Sequence, residues 1–173
     1  MLARTRSFNF ALDHLLTAES EFKPQSGLIV SDSQKTWRLM IDGAARGNPG
    51  KAGCGAVIFD EHDAVVKELS RFLGRATNNV AEYEALLMGL EVLLELGAQK
   101  IVVQSDSELL VRQLNGRYRV KDEKLKVLFQ RAMMLLHQFD SYRILHVRRE
   151  MNKLADRLAN QGIDDAAKTS TAG

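Results

Sequence analysis

Apolar and polar residues alternate from Trp37 to Asp42, with Trp37, Leu39 and Ile41 on one side and Arg38, Met40 and Asp42 on the other. That two-residue period predicts a strand over residues 37–42, and the strand ends on an acid. Gly43, Gly47, Asn48, Pro49 and Gly50 then predict a tight reversal, because glycine reaches positive φ and proline presets a turn. Two more strands are predicted, over residues 55–59 and 64–72, around a polar reversal at residues 60–63. Links this short imply an antiparallel meander.

The period then changes to that of a helix. Tyr83, Leu86, Leu87, Leu90, Leu93 and Leu94 form one apolar face, closed by Gly97. Residues 100–106 predict a fourth strand, again ending on an acid, and residues 107–114 a short helix stopped by Asn115-Gly116. Leu125, Leu128, Phe129, Ala132, Leu136 and Phe139 mark an amphipathic helix, residues 142–147 a fifth strand, and Leu154, Ala155, Leu158 and Ala159 a last helix. Residues 164–173 are small and polar and predict a disordered tail.

Residues 1–36 read as an N-terminal extension. Phe8, Ala11, Leu12, Leu15 and Leu16 recur at helical spacing and predict a short amphipathic helix, broken at Lys23-Pro24-Gln25-Ser26-Gly27. From residue 37 to 163, the order β-β-β-α-β-α-α-β-α predicts one α/β domain with a single mixed sheet. Right-handed helical crossovers set strands four and five parallel to a central first strand.

Composition narrows the picture only a little. A hydrophobic share of 45% and a charged share of 27% are ordinary for a globular chain, and a formal charge of +2 does not by itself argue for nucleic acid. No apolar run approaches the roughly 20 residues that cross a bilayer, and no apolar stretch backs Arg4 and Arg6 as in a secretory signal. The single cysteine, Cys54, cannot form an internal disulfide, which predicts a reducing, cytoplasmic setting. A membrane partner is not expected, and a monomer is.

In the predicted sheet, strands one and four are parallel neighbours, so Asp42 and Asp106 converge at one rim. Glu82 and Glu84 lie near the start of the crossing helix and Asp156 near the start of the last. Convergent carboxylates repel unless a divalent cation lies between them, and hard oxygen ligands suit Mg²⁺ or Mn²⁺. Two such ions about 4 Å apart can activate a water and stabilise the leaving oxygen of a phosphodiester. No His/Cys spacing suggests zinc, and no G-x-x-x-x-G-K-[ST] run suggests a nucleotide loop.

Four motifs carry a specific resemblance. They are Asp42-Gly43 with Gly47-Asn48-Pro49-Gly50, Thr77-Asn78-Asn79-Val80-Ala81-Glu82, Ser105-Asp106-Ser107, and Asn152-Lys153-Leu154-Ala155-Asp156 with Leu158-Ala159. In this order they resemble the type 1 ribonuclease H family over residues 37–162. The resemblance implies a ribonuclease H-like fold with strand order 3-2-1-4-5, and two metal ions held by Asp42, Glu82, Asp106 and Asp156. It selects Glu82 over Glu84. It implies that Asn48, Asn78 and Asn79 meet the minor-groove face and 2′-hydroxyls of an RNA strand, since an amide both donates to and accepts from a 2′-OH. Arg75 and Thr77 match a pocket for a phosphate of the DNA strand.

Many members carry a histidine between the fifth strand and the last helix. Here that link, Val147-Arg148-Arg149-Glu150-Met151-Asn152, is short and has none; His146 falls in the strand, in a structural place, and Glu150 is a helix-start carboxylate. This resembles a compact subgroup, whose fingerprint includes Gln113 to Lys121. A tryptophan-rich basic protrusion is also missing; Arg117, Arg119, Lys121, Lys124 and Lys126 are the basic residues of that region, diluted by Asp122 and Glu123. The expected activity is endonucleolytic, metal-dependent hydrolysis of the RNA strand of RNA/DNA hybrids to 5′-phosphate and 3′-hydroxyl ends. The alternatives are the same mechanism on double-stranded or structured RNA, or a catalytically silent nucleic-acid-binding module.

Overall fold

The computed structural model describes residues 36–171. The leader helix expected within residues 1–36 lies outside the described residues, except that Thr36 already opens the first strand. Five strands form the sheet: β1 (Thr36–Gly47), β2 (Gly50–Phe59), β3 (Val65–Ala76), β4 (Lys100–Ser105) and β5 (Ser141–His146). The helices are α1 (Asn78–Glu95), α2 (Glu108–Leu114), α3 (Glu123–Leu136) and α4 (Lys153–Thr171). Strand order is β3-β2-β1-β4-β5, with β1–β2 and β2–β3 antiparallel and β1–β4 and β4–β5 parallel.

The two faces of the sheet follow from the alternation along β1. Leu39 and Ile41 face a core with Tyr83, Leu86, Leu90 and Leu93 of α1, Leu110 of α2 and Ala132 and Leu136 of α3. Met40 faces the opposite side, with Val57, Phe59, Ala155 and Leu158, under α4. Helix α1 is buried beyond its one predicted apolar face: Ala81, Ala85 and Met88 are covered as well. The reason is that α1 lies between the sheet and α3. Its one buried hydroxyl is matched, since Tyr83 Oη donates to Gln113 Oε1 at 2.9 Å.

Two expectations are corrected. The first strand does not stop at Asp42; it runs to Gly47, pairing Ala44 with Gly53, Ala45 with Ala52 and Arg46 with Lys51, and Gly47 meets Gly50 across a tight hairpin tip at Asn48-Pro49. Small residues there continue the ladder rather than break it. The second correction is the tail. Residues 164–171, expected to be disordered, continue α4. Ala166 and Ala167 are the strongest helix formers, and Lys168 Nζ reaches Asp165 Oδ1 at 3.1 Å one turn back. The Thr169 and Ser170 hydroxyls donate to the carbonyls of Asp165 and Ala166, four residues earlier, each at 3.0 Å.

Candidate active site

Strand register brings the first two acids together. Ile41 lies opposite Ser105 in the parallel β1–β4 pair, so Asp42, where β1 leaves β4 and goes on beside β2 alone, and Asp106, just past the end of β4, are neighbours. On the other side of β1, Asp42 is paired with Gly55 of β2. A Cβ at Gly55 would stand 2.4 Å from the Ala155 carbonyl oxygen and 2.5 Å from the Ala159 nitrogen, so α4 lies directly on the backbone there. That contact sets Asp156, in the first turn of α4, beside the rim. Glu82 comes from the N-terminal end of α1, which is capped by Thr77, whose Oγ1 accepts from the Val80 N–H at 3.3 Å.

One cleft results, lined by Asp42, Gly43, Ala44, Ala45, Asn78, Glu82, Asp106, Ser107, Arg149, Asp156 and Asn160. All four acids expected to act are in it. Glu84 is not, and Glu150 is exposed on a single 3₁₀ turn, Arg149–Met151. Asn78 lines the cleft, whereas Asn48, Arg75, Thr77 and Asn79 lie outside its lining. Asn48, at the β1–β2 hairpin tip, is tied to the start of α1, its Oδ1 accepting from the Asn78 N–H at 3.2 Å. Arg75 is exposed near the end of β3, Thr77 caps α1, and Asn79 sits in its first turn.

Amide side chains hold the carboxylates. Asn78 Nδ2 donates to Glu82 Oε1 at 2.9 Å. Asn152, fully buried, donates through Nδ2 to both the Ile41 carbonyl at 2.8 Å and Asp106 Oδ1 at 3.0 Å, so it joins the middle of β1 to the acid after β4. Its own Oδ1 is buried without a protein partner. Asn160 Nδ2 donates to the Asp156 carbonyl at 3.0 Å and lies 3.4 Å from Asp156 Oδ1. His146 lies in β5, exposed, with Nε2 3.3 Å from the Asp106 carbonyl oxygen.

Charge crowding marks the cleft. Burial first, and then the negative charges of Asp106, Asp156 and Glu82, push the Asp42 carboxyl up to about 8, against a hydrogen bond from the Gly43 N–H. Burial pushes Glu82 up to about 7; hydrogen bonds from the Ser107 hydroxyl and the Asn78 amide oppose this, and Asp106 adds to it. Of the residues lining the cleft, four are acids and one, Arg149, is basic. The donor set is all hard oxygen and suits a divalent cation such as Mg²⁺. Among the described residues, no three His, Cys, Asp or Glu side chains already enclose a position for an ion.

Sequence reasoning missed Arg149, Asn160 and the part played by Ser107. Asn160 follows Asp156 by four residues on a helix, which is the signal that was available. Arg149 carried no such signal, because its place depends on where the 3₁₀ turn Arg149–Met151 sets it beside the cleft.

Sheet order and acidic cleft together define the ribonuclease H-like class. Residues 40–162 match the family profile described as reverse transcriptase-like. A bifunctional protein of Mycobacterium tuberculosis is 46% identical over 135 residues, 78% of this chain and 37% of that protein. Ribonuclease HI of Halobacterium salinarum is 44% identical over 126 residues, 73% of this chain and 63% of that protein. The chain thus spans less than two thirds of either curated relative. Among solved structures, the N-terminal RNase H domain of the M. tuberculosis protein aligns with a TM-score of 0.74 at 43% identity, covering 78% of this chain and 98% of that one. LC11-RNase H1, solved in complex with an RNA/DNA hybrid, aligns with a TM-score of 0.72 at 42% identity, covering 76% and 99%. The chain belongs to the type 1 ribonuclease H family.

Proposed function

We propose that residues 37–163 form a metal-dependent endonuclease that hydrolyses the RNA strand of RNA/DNA hybrids, leaving 5′-phosphate and 3′-hydroxyl ends. The observation that carries this is the meeting of Asp42, Glu82, Asp106 and Asp156, from β1, α1, the end of β4 and α4, in one cleft. These four would hold two Mg²⁺ ions, with Mn²⁺ as a substitute; bound there, the metal supplies an activated water and charge compensation for the leaving oxygen. The chain itself supplies position. Asn78, Asn152 and Asn160 orient Glu82, Asp106 and Asp156 before any substrate arrives.

Discrimination follows from the amides at the hairpin tip and the start of α1. Asn48 uses its carbonyl oxygen on Asn78, so its NH₂ is the half that donates to a 2′-hydroxyl oxygen. Asn78 uses its NH₂ on Glu82, so its Oδ1 is the half that accepts from a 2′-OH. Asn79 lies one residue further into α1 on the RNA side, and Arg75 and Thr77 bind a phosphate of the DNA strand. Exposed Arg117, Arg119 and Lys121, between α2 and α3, neutralise further phosphates. The buried single thiol of Cys54 supports a cytoplasmic setting, and the domain acts as a monomer. No helix among the described residues is long and apolar enough to cross a membrane.

The test is cleavage of one end-labelled sequence offered as RNA/DNA hybrid, RNA duplex, DNA duplex and single-stranded RNA. Each is run with Mg²⁺, Mn²⁺ or a chelator, beside Asp42→Asn and Asp106→Asn. Hybrid cutting that needs metal and vanishes in both variants is the expected result. Cutting of RNA duplex alone would move the substrate class and keep the chemistry, whereas binding with no cutting of anything would leave a silent module.

A further inference from the structure

Beyond Asp42, β1 continues with Ala44 and Arg46 on the same face of the strand. Beyond Asp156, α4 continues with Asn160 and Asp164, one and two turns on along the same stripe. Asp42, Ala44, Asp156 and Asn160 line the cleft, so these two rows form its walls in that direction. The next members of the rows lie beyond the cleft lining and meet each other: Arg46 Nη2 lies 2.7 Å from Asp164 Oδ1, with the two side chains 51% and 50% exposed. Arg46 is also two residues before Asn48, at the hairpin tip.

We propose that Arg46 is a phosphate-binding residue for the strand being cut, held by Asp164 in the free protein and handed to a backbone phosphate when the duplex is seated. This assignment rests on the nuclease reading above. A strand whose reacting phosphate lies at the four acids, and whose 2′-hydroxyls reach Asn48, runs past Arg46 between them. Four residues of β-strand separate Arg46 from Asp42, about 13 Å, within reach of a neighbouring phosphate for a long side chain. The ion pair that must be given up is exposed on both sides and contributes little to folding, so exchanging one anion for another is easy. A guanidinium suits the exchange, because its planar fork fits carboxylate and phosphate alike.

The test is binding of a labelled RNA/DNA hybrid to the full chain in chelator, titrated between low and moderate salt. Arg46→Gln should weaken binding several-fold and lower the slope of log affinity against log salt by about one, the signature of one lost phosphate contact. Asp164→Asn should tighten binding, and Arg46→Gln combined with Asp164→Asn should match Arg46→Gln alone. An unchanged salt slope in Arg46→Gln would overturn the assignment while leaving the nuclease reading intact, as would a double variant that keeps the gain from Asp164→Asn. A wild-type chain that binds no hybrid at any salt would overturn both.

Discussion

Gly43 lies against the backbone of Glu82: a Cβ on Gly43 would stand 2.4 Å from the Glu82 nitrogen and 2.6 Å from the Ala81 carbonyl carbon. Because Gly43 follows Asp42, this one missing side chain lets the strand carrying the first acid touch the helix carrying the second. Backbone cannot yield as a flexible side chain can, so Gly43→Ala must push β1 and α1 apart. The variant should lose about 1–3 kcal/mol of stability, the usual cost of overpacking. It should lose activity beyond what its unfolded fraction explains, read from thermal melts beside cleavage rates at a temperature where it is folded.

Crowding of like charge predicts a trade between stability and activity. Asp42 is buried and repelled by three other acids. Asp42→Asn removes that repulsion in an almost isosteric way. In chelator it should therefore melt a few degrees higher than wild type, a gain on the order of 1 kcal/mol, while abolishing cleavage. A lower melting temperature would count against the repulsion.

The same crowding sets a pH dependence. In the folded, metal-free chain, Asp42 is raised from 3.8 to about 8 and Glu82 from 4.5 to about 7. A group whose folded value is raised holds its proton longer when folded, so its contribution to stability is complete below the unfolded value. It is lost as pH rises through the folded value. Melting temperature in chelator should therefore fall as pH is raised from about 4 to about 8. With Mg²⁺ present the fall should be smaller, and Mg²⁺ added near pH 6 should release protons, seen as binding heats that change with the buffer.

Asn152 ties Ile41 to Asp106 from a fully buried position. Asn152→Ala leaves a buried carbonyl without its donor, which should cost roughly 1–3 kcal/mol. Because it also frees the Asp106 carboxylate, kcat should fall while KM for hybrid changes little. Asn152→Asp should be worse on both counts, since it sets a second carboxylate against Asp106.

Alternation over Trp37 to Asp42, the leucine spacing of α1 and the order of the four motifs determined the element sequence, the sheet order and the four acids. The alternation and the leucine spacing are local properties: a two-residue period reads as a strand, and Asp106, just past the end of β4, falls at the rim of the sheet. Tertiary structure decided the rest. Burial on both sides of α1 depends on α3 packing behind it. The helical course of residues 164–171 and the pairing of Asp164 with Arg46 depend on how α4 lies along the sheet. Arg149 and Asn160 enter the cleft for the same reason. Each of these is a relation between residues far apart in the chain. Such a relation is set by which backbones can approach one another, as at Gly43 and Gly55, and leaves no period to read.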